Sequence, residues 1–420
     1  MDKTRSGQEC CSLHGWIRCL GQTSGDYAVI IHSDMNCSNL VSKRISGPYP
    51  FDRFFCTNLS DDDIIKGKGR EKLADCIDAV IEHLSPSDIL VLDSCMTLII
   101  GDDTRSVVKE KDGVKGVKIH HQNTSGLEFK DPLEVIDRAG CFILDTFRKH
   151  DRQDMNDEHE ENLINILGFE QYLVGKGKIS SDAHIFFEEL KSVGIHVNAM
   201  ISPLSSIEEW ERSLKSKLNI TFDKRVYGRL SRRYEDFGID TLEVPFPAGV
   251  EGTGAFIRSI SEMLDIDTQE QKEKLEQMER ESTRILEKTK DMLKRKKIIY
   301  NIASSLDFTI SDSAKEGLLL LDFFKRLGCD VKILVQGNPE KEHRDRVKRT
   351  LESIGIYDDF TLFGHCGDAY KFIDGDKDTI VYGSPLLREQ AKMMGNKFLF
   401  YNDILPGFAN MEKNISRLVD

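Results

Sequence analysis

Ten cysteines stand in a chain of 420 residues, and seven of them precede position 100: Cys10, Cys11, Cys19, Cys37, Cys56, Cys76 and Cys95. A thiolate is a nucleophile and a soft metal ligand, so this crowding points to metal binding or reactive thiols if the compartment is reducing. The competing reading is that they are small buried hydrophobes. Cys37 lies in Ile31-His32-Ser33-Asp34-Met35-Asn36-Cys37 and Cys95 in Leu92-Asp93-Ser94-Cys95-Met96-Thr97, each just beyond a short apolar run. Cys10 or Cys11 adds a third thiol from a Gly- and Cys-rich leader. Three thiolates converging from loops suit an iron–sulfur cluster, whose irons take cysteine sulfur. Zinc accepts thiolates too, but its structural sites use pairs at two- to four-residue spacing, and no Cys-x2-Cys pair occurs here.

The elements that would position these thiols alternate. Tyr27 to His32 reads as a buried strand, Arg70 to Leu84 as a helix with apolar residues at Leu73, Ile77, Val80 and Ile81, and Ile89 to Asp93 as the next strand. Ser85-Pro86-Ser87-Asp88 separates the two, because proline cannot continue the helix. The same grammar continues with strands at 117–119, 162–167 and 194–200, a helix at 183–193, then a strand at 297–302, a helix at 311–327 and a strand at 330–335. Strands alternating with helices predict parallel sheets, which carry ligands at the carboxyl ends of their strands. If the first two strands are neighbours, the tips bearing Cys37 and Cys95 meet. The run 267–297, dense in Glu, Lys, Gln and Arg, reads as a long half-solvated connecting helix. At roughly 150 residues per domain, two or three packed units are expected, and the alternating pattern places three α/β domains at 1–155, 156–290 and 291–420.

Composition bounds the function classes. Hydrophobic residues are 39% and charged residues 31%, with 10 prolines, the balance of a globular protein. No apolar stretch approaches the roughly 18–20 residues a bilayer span needs, and Met1 to Arg5 begins no apolar signal region, so a cytoplasmic protein without a membrane partner is expected. A net charge of -13 repels phosphate backbones and argues against nucleic acid. Gly249 to Gly254 has the wrong glycine spacing for a dinucleotide fingerprint, and Gly67-Lys68-Gly69 lacks the rest of a P-loop, so no nucleotide is expected on this chain. His120-His121 is a candidate substrate contact or a surface turn; His32 reads as a satisfied strand-end histidine rather than a ligand, and His196 as a packed core residue.

Several segments in order resemble nitrogenase component 1 and its relatives, the electron-accepting subunits of nitrogenase-like reductases. Ile31 to Cys37 is similar to the family's strand and His-Gly-x-x-Gly-Cys turn, with both motif glycines replaced. Thr57-Asn58-Leu59-Ser60-Asp61-Asp62-Asp63-Ile64-Ile65-Lys66-Gly67 resembles its Thr-Asp-Leu, acid, Asp-Val-Val-Phe-Gly block. Cys95 to Asp103 is similar to its Cys-x-x-x-x-Ile-Gly-Asp-Asp, the most specific match, and the separations of Cys11, Cys37 and Cys95 fall in the family's range. Asn162 to Gly168 resembles its Val-Asn-Leu-Ile-Gly, and Pro247 to Phe256 its Pro-x-Gly, Thr, Phe segment.

The resemblance implies three Rossmann-like domains. It implies that Cys11, Cys37 and Cys95, with Cys10 as rival to Cys11, are three ligands of a cluster shared across a subunit interface. The cluster would be 4Fe–4S or the eight-iron P-cluster type, closed by a sister subunit or a second copy, and fed by an ATP-dependent Fe-protein reductase. The family's catalytic cofactor hangs from a cysteine in the second domain and a histidine in the third. Here no cysteine lies between Cys141 and Cys329, no histidine follows His365, and the corresponding stretches read Asn219 to Lys224 and Tyr401-Asn402-Asp403. An iron–molybdenum cofactor is therefore not expected. Three readings follow: a reductase subunit acting on an organic, tetrapyrrole-like substrate, a scaffold for metallocofactor assembly, and a metal-free α/β binding protein.

Overall fold

In the computed structural model the described residues are 12–23, 25–37, 53–127, 132–147, 160–169, 181–202, 205–222, 224–302, 320–336, 341–353, 357–364, 366–383, 387–400 and 403–419. They form three sheets, and every strand pair in them is parallel. The chain divides into two compact units, Met1–Asp151 with Pro203–Glu211, and Arg152–Ser202 with Arg212–Asp420.

The first unit holds a sheet in the order β2-β1-β3-β4, with β1 Tyr27–His32, β2 Phe54–Cys56, β3 Asp88–Asp93 and β4 Lys118–Asn123. All six residues of β1 are buried, as expected of a central parallel strand covered on both faces. One face is closed by the helix Gly69–Leu84, which sends Leu73, Ile77, Val80 and Ile81 onto Ala28, Ile30, Ile89 and Val91; each such side chain contributes about 1.5–3 kcal/mol by leaving water. That helix ends at Ser85 in the left-handed conformation, ahead of Pro86. The helices Ser12–Gln22 and Pro132–Phe147 pack together, with Trp16 edge-on to Phe142 at 5.5 Å. Gly15 makes the close approach possible, since a Cβ there would sit 2.7 Å from Val135 Cγ1.

The second unit holds two sheets. β5 Glu160–Leu167, β6 His196–Ile201, β7 Ser216–Thr221 and β8 Asp240–Glu243 are ordered β6-β5-β7-β8. β9 Lys297–Ile302, β10 Asp330–Gln336, β11 Phe360–Phe363, β12 Thr379–Gly383 and β13 Lys397–Phe400 are ordered β11-β10-β9-β12-β13. One apolar core runs through both, from Ile164, Phe186 and Phe256 to Tyr300, Phe324 and Tyr382. The charged run folds as the helix Gln269–Leu293, started by a capping box between Thr268 and Gln271 and burying only Leu275, Ser282 and Leu293. Most of the helix expected at 311–327 lies outside the described residues; its end is Leu321–Arg326. No helix of the described residues is long and apolar enough to cross a membrane.

Candidate functional site

The register of the first sheet settles which strand tips are neighbours. β1 pairs in parallel with β3 from Tyr27↔Asp88 to His32↔Asp93, so both strands end at the same edge. The pairing reaches past the strands: Ser94 N–H donates to His32 O (3.3 Å), and Leu59 N–H to Ser33 O (3.0 Å). Backbone leading to Cys37 and backbone leading to Cys95 are thus bonded together before either cysteine is reached.

Each thiol is then held in a capped turn. Asp34 Oδ1 accepts from Asn36 N–H (2.6 Å) and Cys37 N–H (2.9 Å), fixing a helical turn over 35–37. Ser94 and Thr97 form a capping box, Thr97 N–H donating to Ser94 Oγ (3.4 Å) and Ser94 N–H to Thr97 Oγ1 (3.1 Å), which starts the helix Cys95–Ile100 at the cysteine itself. Cys37 and Cys95 are both half-buried. Gly126 N–H donates to Cys95 Sγ at 3.2 Å, the kind of bond that stabilises charge on a sulfur.

Below the cysteines lies a polar pin that the motif residues alone do not reveal. His32 is fully buried; its Nδ1 lies 3.0 Å from Thr57 Oγ1 and its Nε2 3.1 Å from Asp102 Oδ2. Burial pushes the imidazole below its ordinary pKa, outweighing the opposing pull of Asp102 and Asp93. A neutral ring carries one N–H, and the Asp102 carboxylate accepts only, so the proton is assigned to Nε2 and Nδ1 accepts from the Thr57 hydroxyl. Thr57 Oγ1 accepts in turn from Ser33 N–H (3.1 Å). Asp103, by contrast, caps the helix Thr104–Lys111 through Ser106 N–H (3.2 Å) and pairs with Arg70 (3.1 Å). The adjacent aspartates therefore divide: Asp103 serves the helix, and Asp102 turns to the histidine.

His196, expected to be packed in the core, is instead exposed at the first position of β6, where the strand has not yet entered the core. His121 Nε2 meets Asp93 Oδ2 at 2.7 Å while Thr104 donates to Asp93 Oδ1 (2.7 Å), so His121 belongs to the same edge; His120 meets Asp88 at 2.8 Å, at the amino end of β3. Cys56, absent from the ligand set read in the sequence, ends β2, and its thiol donates to Ser33 O and Asp34 O at 3.5 Å. The signal for it was its place one residue before Thr57. Burial pushes the Cys76 thiol up to about 11. Cys10 and Cys11 lie outside the described residues. Among the described residues no group of three or more His, Cys, Asp or Glu side chains is placed to hold a metal ion. Cysteine sulfur is the donor an iron–sulfur cluster takes, and the described residues place two such sulfurs, Cys37 and Cys95, at this edge, one of them already accepting an N–H.

The stretch where a cofactor cysteine would fall is built differently. Beyond β7, Phe222 is buried and packs on Phe169 (5.8 Å between ring centroids), Phe246 (5.2 Å) and Phe256 (6.2 Å). Asn219 and Asn165 are bonded to each other inside the sheet (2.8 Å).

The first parallel sheet thus presents two turn-held thiols, Cys37 and Cys95, at one edge. The chain belongs to the nitrogenase component 1 type oxidoreductase family, whose sequence profile matches residues 11–369. It is 26% identical over 381 residues to the nitrogenase iron-molybdenum cofactor biosynthesis protein NifE of Clostridium pasteurianum, covering 89% of this chain and 77% of that protein. It is 27% identical over 213 residues to the nitrogenase molybdenum-iron protein alpha chain of the same organism, covering 50% and 37%. Among solved structures, nitrogenase Cp1 at pH 6.5 superposes with a TM-score of 0.65 at 17% identity, covering 97% of this chain and 87% of that one, which establishes the shared fold.

Proposed function

We propose that this chain is the electron-accepting subunit of a nitrogenase-like two-component oxidoreductase. In this reading Cys37, Cys95 and one of Cys10 and Cys11 hold an iron–sulfur cluster that a sister subunit or a second copy completes. Electrons come from an ATP-dependent Fe-protein-like reductase and leave to an organic, tetrapyrrole-like substrate. The observation that carries the proposal is the delivery of Cys37 and Cys95 to one sheet edge by separately capped turns on adjacent strands. A bound cluster would supply one-electron storage at the subunit boundary.

The chain's own residues do the holding and tuning. Asp34 and Ser94 fix where the two sulfurs stand, and Gly126 N–H lowers the electron density on Cys95 Sγ. Family membership supports the electron-accepting role. An organic substrate rather than an iron–molybdenum cofactor is supported by the end of β7, where Phe222 sits among aromatic rings and no thiol is present. A second reading, a scaffold for metallocofactor assembly, is favoured by one observation: the Clostridium relative that aligns over 89% of this chain is named for cofactor biosynthesis.

The two readings separate in a stopped-flow experiment. The anaerobic protein with its partner subunit is mixed with a dithionite-reduced Fe-protein-type reductase and MgATP, and oxidation of the reductase is followed. ATP-dependent oxidation that disappears in Cys95→Ala supports the electron-accepting subunit. Cluster loading and release with no reductase oxidation supports the scaffold and overturns the first reading.

A further inference from the structure

We infer that His32, Asp102 and Gly69 form a brace that sets the spacing of Cys37 and Cys95, making His32 and Asp102 positioning residues for whatever those sulfurs ligate. The inference rests on the reading of Cys37 and Cys95 as cluster ligands. His32 ends the strand that leads to Cys37, and Asp102 follows the helix that begins at Cys95. Their 3.1 Å bond therefore ties the loop after β1 to the far end of the Cys95 helix, while His32 Nδ1 ties the same ring to Thr57 at the end of β2. Three successive loops of the sheet edge hang on one imidazole, and that imidazole is fully buried.

Asp102 is placed as deliberately as the histidine. Its backbone N–H bonds Thr97 O (3.1 Å), anchoring it to the capping residue of the Cys95 helix. Its carboxylate lies against Gly69, the first residue of the helix Gly69–Leu84, where a Cβ would overlap the carboxylate atoms. Nothing in the backbone of Gly69 demands glycine, since its φ is not positive. Glycine in a helix normally costs stability relative to alanine, so its presence here is explained by the room it leaves for Asp102. A carboxylate at that helix start also meets the positive end of the helix dipole, which stabilises it against the buried ring.

The brace differs from ordinary packing in what it fixes. Removing a core side chain loosens a region; removing this bond leaves the backbone pairing of the two loops and the caps by Asp34 and Ser94 in place, and loosens the far end of the Cys95 helix against the end of β1. The consequence is on ligand spacing, read as sulfur accessibility in the protein without iron and as electronic structure in the protein with it.

The test uses the full chain as Asp102→Ala, Asp102→Asn, Gly69→Ala and His32→Ala. Two readouts are taken: the alkylation rate of Cys37 and Cys95 in the iron-free native protein, resolved by peptide mass spectrometry, and the EPR line shape and midpoint potential after anaerobic reconstitution. Asp102→Asn keeps an oxygen that accepts from His32 Nε2–H and is expected to alkylate near the wild-type rate. Asp102→Ala and Gly69→Ala are expected to raise the rate at Cys37 or Cys95 about tenfold, the effect of one buried hydrogen bond to a charged group, and to shift the potential. The buried Cys19 and Cys329 are expected to keep their rates. Wild-type rates and spectra in Asp102→Ala and Gly69→Ala would overturn the brace, as would equal acceleration at Cys19 and Cys329. If Asp102→Ala or His32→Ala does not fold, Gly69→Ala against Asp102→Asn decides. A wild-type protein that takes up no iron removes the cluster reading, and the alkylation rates still decide the brace.

Discussion

The carboxyl edge of β1 and β3 and the carboxyl end of β7 occupy equivalent places in two parallel sheets, yet they are built from opposite materials. At the first edge the strands end in His32 and Asp93 and open into turns that present Cys37 and Cys95. At the second, Thr221 is followed by Phe222, which turns inward onto Phe169, Phe246 and Phe256. A parallel sheet offers its carboxyl edge for function, but the residues just beyond the strands decide whether the offer is taken. Polar caps and a buried histidine leave two half-buried thiols presented at one edge. Aromatic rings close the other into core.

The largest expected contrast comes from truncating each edge at its defining residue. Cys95→Ala is expected to abolish iron retention with little loss of fold, because the helix keeps its Ser94–Thr97 capping box. Phe222→Ala is expected to leave iron unchanged and to lower stability by about 3–5 kcal/mol, read by urea denaturation, since a fully packed ring leaves a cavity. Iron loss in the phenylalanine variant would erase the distinction.

The next contrast is in pH. The pKa of His32 is lower folded than unfolded, so the unfolded chain binds the extra proton between those values. Stability contributed by the neutral ring is complete above the unfolded value of about 6.5 and is lost as pH falls below it. Denaturant titrations at pH 7.5 and 5.5 are expected to show this loss, and His32→Gln to show less of it. An unchanged slope in the variant would assign the pH dependence elsewhere.

Smaller effects sharpen the comparison within unit one and beyond it. With its thiol pushed up to about 11, Cys76 is expected to react with iodoacetamide at pH 8 more slowly than the half-buried Cys95, measured on the same iron-free sample. Thr268→Ala removes the cap of the helix Gln269–Leu293 and is expected to cost about 0.5–2 kcal/mol with no change in iron or thiol reactivity.

Much of this was legible in the sequence because its causes are local. The period of Leu73, Ile77, Val80 and Ile81 gives a helix, the six buried residues Tyr27–His32 give a central strand, and alternation gives parallel sheets. The meeting of the Cys37 and Cys95 tips was legible only on the condition that their two strands are neighbours, which the β1–β3 register supplies. The shared apolar core of the second and third sheets was not legible, because it depends on which faces meet. Nor was the bond between His32 and Asp102, two residues seventy positions apart in the chain that the sheet brings to 3.1 Å. His32 read as a satisfied strand-end histidine, and it is satisfied; what it ties together is a tertiary fact.

The most direct measurement is iron and acid-labile sulfide per chain on anaerobically prepared protein, beside Cys37→Ala and Cys95→Ala. A brown protein with about two to four irons per chain, lost in both variants, is the expected result. Negligible iron after anaerobic reconstitution, or iron that survives loss of both cysteines, would contradict the assignment of this edge as the cluster site.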